Sequence, residues 1–550
     1  MLGHVASYQL TIYFSLLLSI RAQIVKINFS TISERLADTF SDREALVNIE
    51  RNRRYTFREF HLLTNRIVNM MRQKLNLYQG DTWVNILEND NLSLLHFFTA
   101  FKGDAVACYT NYRDSLEDHT NQLDAVDAKV VFLEAELLVT HYEMLRSRQV
   151  TIVSMDRPPQ EMPGVHYFWD LLEGVSDSNP DISHDDREDL KVMRFTGGTT
   201  GKGKCVKYSI DNWLMCKDLF FSMPDPAWSP DARFLHLAPI SHGSGMLFLP
   251  TLFKGACNVT MNVPDLNAWC ANIEKEKITM TMMVPVLLYR LLAMEADALK
   301  GLSFLETVFY GAAPMNPSKL RELQAALGNI FIQIYGATEH VGVALSMSKS
   351  DHLLGQDSGD DSHLASAGRP VAGVEVCVVD DDGQPVLPGE IGEIWLRSRA
   401  ICLGYFNNPE QTASEFQDGF WKSGDLGKVD TNGFVSIVDR KKDMIISGGF
   451  NVYATEVESA IASHPAVFMS AVIGVPSDEW GEAVHAEVML KEQQTVSSEE
   501  LMAHVRQSLG GYKTPKTMKF VSELPLSAVG KVLRRKVRDD YWKDSTRKVG

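Results

Sequence analysis

The sequence is poor in cysteine, and no two cysteines stand in a CxxC spacing. A disulfide framework and a zinc ribbon both require closely spaced cysteine pairs, so neither is predicted for this chain. An odd number of isolated thiols suits a reducing compartment, and we therefore expect a cytoplasmic protein. The seven cysteines are Cys108, Cys205, Cys216, Cys257, Cys270, Cys377 and Cys402.

Long apolar runs are also missing, since none approaches the ~18 residues that a membrane-spanning helix requires. The most apolar segment, residues 8–20, is too short to cross a bilayer and has no Lys or Arg before it. We interpret residues 1–29 as an N-terminal extension that forms a core helix or covers an apolar surface. A signal peptide is the alternative, and the composition also allows peripheral contact with a membrane.

Basic residues are fewer than acidic residues. The chain has 54 Lys and Arg and 70 Asp and Glu, which gives a formal charge of −16 at pH 7. A negative protein repels a phosphate backbone, so nucleic acid is not an expected partner. Hydrophobic residues make up 45% and charged residues 23% of the chain, which is typical of folded soluble domains. At roughly 150 residues per domain, the length predicts about three or four folding units.

From about residue 30 onward, short β-rich apolar runs alternate with helical patterns. This alternation predicts α/β layers around buried sheets. One helix is well delimited, since Asn316 can cap it, Pro317 suits its first turn and Gly328 can end it. The predicted strands are residues 130–133, 151–154, 234–237, 278–284, 307–310 and 330–334.

After about residue 368 the sequence pattern changes to short strands separated by turns. This pattern predicts a small β subdomain over residues 368–439. A charged hinge segment follows, and then a smaller unit over residues 440–550 in which Thr455 and Glu458 have the spacing of a capping box. The predicted fold class is α/β. A large N-terminal domain of layered α/β subdomains, residues 30–439 with the β subdomain, precedes a smaller α+β C-terminal domain.

The stretch most indicative of chemistry reads FTGGTTGKGK over residues 195–204. Glycines let backbone N–H groups approach phosphate oxygens, hydroxyls donate further hydrogen bonds, and lysine offsets phosphate charge. The pattern therefore predicts a nucleotide triphosphate site. It also fits most of the P-loop pattern, although Cys205 replaces the magnesium-binding hydroxyl. A P-loop ATPase is thus an alternative.

This stretch resembles the phosphate loop TSGTTGxPKG of the adenylate-forming superfamily, which includes acyl-CoA synthetases, luciferases and peptide-synthetase adenylation domains. It departs from that pattern at Gly197, Gly203 and Cys205. Further motifs follow in the family's order, so that the resemblance spans about residues 30–540. They are residues 239–245 around His242, 311–314, YGATE at 335–339, GEIGEIWLRSRAICLGY at 389–405, WKSGD at 421–425, DRKKDMIISGGFN at 439–451 and LPLSAVGKVLR at 524–534.

The resemblance implies a set of residues that bind ATP. Asp425 and Arg440 suit the ribose, because an ionised carboxylate accepts from paired hydroxyls and a guanidinium donates to the same sugar or to a phosphate. The implied phosphate loop comprises Thr196, Gly197, Gly198, Thr199, Thr200, Gly201 and Lys204, and the implied adenine pocket comprises Gly311, Ala312, Ala313, Tyr335 and Gly336.

Four residues have implied catalytic roles. Lys531 would meet the acyl carboxylate and the α-phosphate as charge shifts in the transition state. Thr338 would hydrogen-bond the same groups, and Glu339 would bind Mg²⁺ through hard oxygens. His242 would act as a gate or base at the inner edge of the acyl pocket, with a purely structural loop histidine as the alternative.

The same resemblance implies coenzyme A as co-substrate and a mobile C-terminal domain. Gly448, Gly449 and Phe450 would face a pantetheine tunnel, and the domain would rotate about Lys442. Asp439 stands where the family usually has glycine.

The implied reaction is the ATP-dependent ligation of a small aliphatic or aromatic carboxylic acid to CoA through an acyl adenylate. Pyrophosphate would leave first and AMP second. Alternatives are an adenylate-forming enzyme with another acceptor and a catalytically inactive binding relative. The family resemblance also allows a homodimer.

Overall fold

The computed structural model describes residues 26–158, 160–185, 189–196, 203–226, 228–263, 265–355, 361–527 and 531–543. Its strands are β1 (Lys26–Ile27), β2 (Glu44–Asn48), β3 (Arg53–Thr56), β4 (Thr82–Ile86), β5 (Val106–Tyr109), β6 (Ala128–Leu133), β7 (Thr151–Ser154), β8 (Val165–Tyr167), β9 (His184–Asp185), β10 (Leu190–Phe195), β11 (Cys205–Ser209), β12 (Arg233–His236), β13 (Cys257–Thr260), β14 (Met280–Met283), β15 (Thr307–Gly311), β16 (Phe331–Tyr335), β17 (Leu345–Met347), β18 (Arg369–Pro370), β19 (Glu375–Val379), β20 (Gly392–Arg397), β21 (Phe416–Gln417), β22 (Phe420–Val429), β23 (Val435–Arg440), β24 (Ile445–Ser447), β25 (Phe450–Val452), β26 (Val467–Ser477), β27 (Gly481–Leu490) and β28 (Thr517–Phe520).

The α-helices alternate with these strands through most of the chain. They are α1 (Phe29–Phe40), α2 (Phe57–Gln73), α3 (Asn91–Lys102), α4 (Leu116–Val126), α5 (Ala135–Ser147), α6 (Phe168–Leu172), α7 (Ile210–Ser222), α8 (Phe248–Phe253), α9 (Leu266–Lys275), α10 (Pro285–Leu292), α11 (Pro317–Leu327), α12 (Pro409–Glu415), α13 (Ala454–Ala462), α14 (Ser498–Leu509) and α15 (Arg534–Trp542). Short 3₁₀ turns lie at Gly243–Leu247, Ala296–Phe304, Asp351–Leu353, Ser362–Ala365 and Lys441–Asp443.

Two mostly parallel sheets form the large N-terminal part. Sheet A has the strand order β11–β10–β5–β4–β6–β7–β8, and sheet B has the order β18–β17–β16–β15–β14–β12–β13–β2–β3. Every residue of α3 is buried, as expected for a helix that is apolar on all sides. The helix ends at Lys102, whose buried ammonium donates to Thr64 Oγ1 at 2.8 Å and Asn65 Oδ1 at 2.7 Å.

The predicted α/β elements lie where the sequence pattern places them. The six predicted strands coincide with β6, β7, β12, β14, β15 and β16, with ends that differ by no more than two residues. Helix α11 begins after Asn316, whose side chain accepts from Ser318 N at 2.9 Å, and Gly328 follows its end with φ of 82°.

The remaining chain forms two smaller units. The β subdomain has the strand order β19–β20–β22–β21, with β23 paired to β22. The C-terminal unit has the order β25–β24–β27–β26, with β28 paired to β27, and its helices cover a core that includes Val457, Val472 and Leu501. The α/β class with a smaller C-terminal unit is therefore confirmed, whereas residue 440 as a boundary of movement stays a prediction.

The predicted capping box at the start of α13 is wrong. Tyr453 precedes the helix and makes no side-chain cap hydrogen bond. Arg534, from α15, instead donates to Thr455 Oγ1 at 2.8 Å and to Glu458 Oε1 at 2.8 Å. Thr455 and Glu458 therefore bind Arg534, which is distant in sequence, and do not form the predicted capping box.

The segment with residues 8–20 lies outside the described residues. Within the part of the chain that the structure describes, no helix combines the length and apolar character that a membrane crossing requires. All seven cysteines are free thiols, and six are buried. Cytoplasmic location and a homodimer stay predictions.

Candidate active site

The residues predicted to bind ribose lie on neighbouring strands of the β subdomain. Asp425 and Arg440 face each other across β22 and β23, and Arg440 Nε lies 3.0 Å from Asp425 Oδ1. The Tyr335 hydroxyl, at the end of β16, donates to the other carboxylate oxygen at 2.6 Å. Burial and then the charge of Asp425 raise the pKa of Tyr335, so this phenol stays a donor. The contacts join sheet B to the β subdomain and leave Asp425 able to accept further hydrogen bonds.

Glycines lie at the carboxyl ends of β15 and β16, where neighbouring backbone comes close. A Cβ at Gly311 would lie 2.1 Å from a neighbouring backbone oxygen, and one at Gly336 would lie 2.3 Å from another. Ala312 has φ of 68°, a left-handed conformation that costs a non-glycine residue ~1–3 kcal/mol. Ala313 is half-buried beside it. The close backbone packing accounts for the glycines at these positions, and the role of the segment as the adenine pocket stays a prediction.

The described flanks of the phosphate loop form a hairpin of β10 and β11. Thr196 N donates to Lys204 O at 2.9 Å, and Lys204 N donates to Thr196 Oγ1 at 3.1 Å. A Cβ at Gly203 would lie 2.5 Å from Thr196 O, so this departure from the family pattern accompanies a close backbone approach. The predicted residues Gly197, Gly198, Thr199, Thr200 and Gly201 lie outside the described residues.

Lys204 is held by a carboxylate that the sequence analysis did not identify. Its ammonium lies 2.5 Å from Glu415 Oε1, at the end of α12, and 4.8 Å from the centroid of the Tyr405 ring. The Tyr405 hydroxyl contacts Glu415 Oε2 and lies 2.9 Å from Glu339 Oε1. Burial raises the pKa of Glu415, but the hydrogen bonds from Lys204 and Tyr405 outweigh it and the net shift is downward. An incoming phosphate would have to compete with Glu415 for the charge of Lys204.

We expect Glu415→Gln to lower the KM for ATP about threefold, because the amide no longer competes for the Lys204 ammonium. The size corresponds to a partly exposed ion pair of ~0.7 kcal/mol. ATP titration of acid-dependent pyrophosphate exchange measures the effect. Glu410→Gln, an exposed carboxylate on the same helix, is the matched control and should leave the KM unchanged. A higher KM in Glu415→Gln would show instead that Glu415 orients Lys204 for phosphate.

Glu339 fits a magnesium ion that is shared with phosphates. Its side chain is nearly buried after β16, and burial raises its pKa against the opposing effects of Tyr405 and Lys204. Mg²⁺ usually takes one or two carboxylates together with substrate phosphates and water. Among the described residues, no group of three or more His, Cys, Asp or Glu side chains could hold a metal by itself. Glu339 would supply a single carboxylate to such a shared ion, with the charge of Lys204 nearby.

Thr338 is held through its backbone. Its carbonyl oxygen accepts a hydrogen bond from the Tyr208 hydroxyl, and its side chain is half-buried. Because Tyr208 lies on β11, this bond fixes the segment before Glu339 against the strand that leaves the phosphate loop. Contact of the Thr338 hydroxyl with substrate stays a prediction.

His242 lies in the loop between β12 and the turn that precedes α8. The Ser241 hydroxyl is 3.0 Å from its Nδ1. Burial, together with the positive charges of Arg194 and Lys531, lowers the pKa of His242 to about 4. The imidazole is therefore neutral near pH 7. Its role as gate or base stays a prediction.

Lys531 comes from the C-terminal unit. Its backbone N–H donates to Ser527 Oγ at 3.1 Å, and its carbonyl accepts from Ser527 N at 2.7 Å. The surrounding protein lowers the pKa of Lys531, the charge of Arg440 adds to this shift, and Asp425 opposes it. The ammonium thus lies within electrostatic reach of the ribose-side pair. Lys531 keeps exposed surface.

The connection between the β subdomain and the C-terminal unit passes through the 3₁₀ turn at Lys441–Asp443. Before it, Asp439 is paired in β23 with Leu426 of β22, and its carboxylate lies 3.1 Å from Arg534 Nη1. Thr455 N also donates to Asp439 at 3.2 Å. Asp439 therefore belongs to the β subdomain by its backbone and to the C-terminal unit by its side chain. Rotation about Lys442 stays a prediction.

The predicted tunnel residues lie at the turn from β24 to β25, with Gly448 and Gly449 in the turn and Phe450 as the first residue of β25. Gly448 and Gly449 have φ of 58° and 83°, and Gly448 N donates to Trp480 O at 2.8 Å. The exposed ring of Phe450 packs on Tyr512 with centroids 5.2 Å apart. Both of these contacts are made within the C-terminal unit, and a role of the three residues in binding pantetheine stays a prediction.

Sequence reasoning missed three site residues. Tyr405 is the last residue of the family motif at residues 389–405, so the motif gave a signal for it. Glu415 and Arg194 gave none, since their importance depends on which side chains the fold brings beside them.

Two α/β sheets, a β subdomain and a small C-terminal unit that meet around these residues define the class of adenylate-forming enzymes. The chain matches the family model "AMP-binding enzyme" over residues 33–406 and "AMP-binding enzyme C-terminal domain" over residues 456–531. It therefore belongs to the AMP-binding enzyme family.

Known proteins similar to this chain support the same class. The medium/long-chain-fatty-acid–CoA ligase FadD8 of Mycobacterium tuberculosis is 38% identical over 65% of this chain and 62% of its own length. The fatty acid–[acyl-carrier-protein] ligase ScoC of Streptomyces coeruleorubidus is 30% identical over 90% of this chain and 93% of its own. The anthranilate CoA ligase AuaEII, solved with anthranoyl-AMP, has a TM-score of 0.84 and 26% identity over 94% of this chain and 98% of its own.

These findings confirm the predicted superfamily and the predicted enzyme class of acid–thiol ligase. The P-loop ATPase alternative is wrong, because the family model covers the stretch that suggested it.

Proposed function

We propose that this enzyme joins an aliphatic or aromatic carboxylic acid to coenzyme A, using ATP and passing through an acyl adenylate. The carboxylate attacks the α-phosphorus and displaces pyrophosphate. The CoA thiol then attacks the mixed anhydride and displaces AMP. The observation that carries the proposal is the Asp425–Arg440 pair of the β subdomain, whose charges act on Lys531 of the C-terminal unit.

In the first half-reaction two anions must meet. Asp425 holds the ribose hydroxyls, with its orientation fixed by Tyr335 and Arg440. Lys531 offers its ammonium where the carboxylate meets the α-phosphate, and Lys204 neutralises charge on the phosphate side. Fixed positive groups of this kind lower the barrier because they require no reorganisation during the reaction.

Glu339 would hold a magnesium ion together with the phosphates of ATP. The ion, when bound, supplies further charge neutralisation on the leaving pyrophosphate. Tyr405 orients Glu339 through the hydrogen bond at 2.9 Å.

The walls around His242 favour an acid with an apolar body. Gly243 is packed so closely that a Cβ would lie 2.9 Å from Met282 Cε, and Met246 Sδ lies 3.0 Å from Gly342 N. Methionine side chains are flexible and adapt to apolar groups of different shape. The printed sequence of residues 239–245 contains no carboxylate that would bind an amino acid's ammonium group.

The acceptor is the second element of the proposal. Free CoA is favoured over a carrier domain in this chain, because residues 509–511 are followed by Tyr512 rather than by a phosphopantetheine serine. The relative ScoC is named as a ligase for a carrier protein, so a separate carrier protein is the competing acceptor.

A panel of fatty and aromatic acids tests both elements. Each acid is incubated with ATP, Mg²⁺ and either CoA or a phosphopantetheinylated carrier protein, and products are identified by mass. We expect an acyl-CoA and an equimolar release of AMP. Acyl transfer to the carrier alone would replace CoA as the acceptor, and release of ADP without any acyl adenylate would overturn the proposed function.

A further inference from the structure

Arg194 is a buried cation on β10, immediately before the phosphate loop. The residue is only 5% exposed. Its Cζ lies 4.6 Å from the Trp213 ring and 5.4 Å from the Phe97 ring. In the portion of the chain with described coordinates, Arg194 forms no ion pair with a carboxylate. Burying a charge without an opposite charge is costly, so the position requires an explanation.

The hydrogen bonds of Arg194 compensate for that charge only weakly. Nη1 lies 3.3 Å from His242 O and Nη2 lies 3.4 Å from Ile240 O, distances beyond the usual range for strong bonds. Its Nε is buried without a hydrogen-bond partner among the described residues.

The other titratable groups around Arg194 are neutral. They are Tyr109 on β5, Tyr208 on β11 and Cys216 on α7, and burial raises the pKa of each. His242 is neutral as well. The described surroundings of Arg194 therefore supply dipoles and aromatic faces, but no negative charge.

The Arg194 guanidinium lies against the loop that carries His242. Arg194 contacts the loop backbone at His242 O and Ile240 O, and the charge of Lys531 acts on the same imidazole. The packing is close, since a Cβ at Gly245 would lie 3.1 Å from Arg194 Nη2 and 2.0 Å from Ile240 O. The guanidinium is thus held in place against the backbone of the His242 loop.

We propose that Arg194 is a fixed counter-charge for the ionised substrate acid, acting through the His242 loop without touching the substrate. This inference rests on the proposed function, because it takes the anion to be the carboxylate that Lys531 meets. The missing negative charge is then supplied by the substrate. A buried guanidinium suits this task because its charge is permanent and weakly screened.

The proposed effect is selective for one stage of the reaction. Two unit charges about 10 Å apart at an effective dielectric constant of about 20 change an affinity roughly tenfold. The carboxylate loses its charge when it becomes the acyl group of the adenylate. Arg194 should therefore favour binding of the free acid and have little influence on thioester formation from acyl-AMP.

Arg194→Met tests this inference, because methionine keeps an apolar stem between the two aromatic rings and removes the charge. Arg194→Lys, which keeps a positive charge, is the matched variant. Calorimetry in the presence of a non-hydrolysable ATP analogue measures binding of the acid and of its uncharged carboxamide. We expect Arg194→Met to weaken the acid about tenfold and leave the carboxamide unchanged, whereas Arg194→Lys stays within about threefold of the unchanged chain for both.

Kinetics provide the second readout. In Arg194→Met the KM for the acid should rise about tenfold in pyrophosphate exchange, with the KM for ATP and the turnover of supplied acyl-AMP unchanged. Equal weakening of acid and carboxamide would show a packing role and overturn the inference, as would an unchanged affinity for the acid. Absence of adenylate formation in the unchanged chain would overturn the proposed function, whereas failure of the inference alone leaves adenylate formation by the unchanged chain intact.

Discussion

Lys531→Ala is expected to slow acyl-adenylate formation by about 10²- to 10³-fold, the usual effect of removing one preorganised donor to a developing charge. The charges of Asp425 and Arg440 act on the ammonium, and we propose that it meets both the attacking carboxylate and the α-phosphate. Thioester formation from supplied acyl-AMP requires no such neutralisation and should change little. Pyrophosphate exchange measures the first step, and CoA consumption with synthetic acyl-AMP measures the second.

Lys536→Ala is the matched control, since Lys536 is an exposed lysine of the same basic run. It should leave both steps unchanged. An equal loss of both steps in Lys531→Ala would contradict the assigned role, because it would indicate a general disturbance of the C-terminal unit.

Asp439→Asn is expected to have the second large effect, by weakening the connection between the β subdomain and the C-terminal unit. The Asp439 side chain is fully buried against Arg534, and removing one partner of a buried ion pair typically costs ~3–5 kcal/mol. Arg534 keeps Glu458, so we expect about half of that cost to appear. The arrangement that brings Lys531 into the cleft would then be less populated, and adenylate formation should fall about 10- to 100-fold.

The two half-reactions separate this effect from simple unfolding. Thioester formation from supplied acyl-AMP should be unchanged or faster, because it does not need Lys531 in the cleft. Asp443→Asn is the graded control, since Asp443 is more exposed and lies 3.5 Å from Arg534 Nη1, and its effect should be smaller. A drop in thermal stability with equal loss of both steps would refute the role of Asp439 in holding the two units together.

Local sequence signals predicted much of the fold. Strands such as β7 are apolar runs ended by turn residues, and α11 carries its own cap at Asn316 and its own stop at Gly328. Elements of this kind are specified by neighbouring residues, so a pattern in the sequence is sufficient to find them.

Pairings between distant residues could not be predicted in the same way. Thr455 and Glu458 have ideal spacing for a capping box, yet Arg534 engages both. Glu415 is part of the site only because it contacts Lys204. Arg194 is part of it only because it contacts the His242 loop. The free energy of such contacts depends on tertiary position, which no local pattern encodes.

Tyr405 stands between two carboxylates and has a single hydroxyl proton, so it can donate to only one of them. The charge of Lys204 favours the ionised form of Glu415, whereas burial raises the pKa of Glu339. A proton taken up by this group therefore resides on Glu339. Glu339 ligates a cation only as a carboxylate, so nucleotide loading should release any proton that Glu339 holds and should become tighter as the pH rises through its raised pKa.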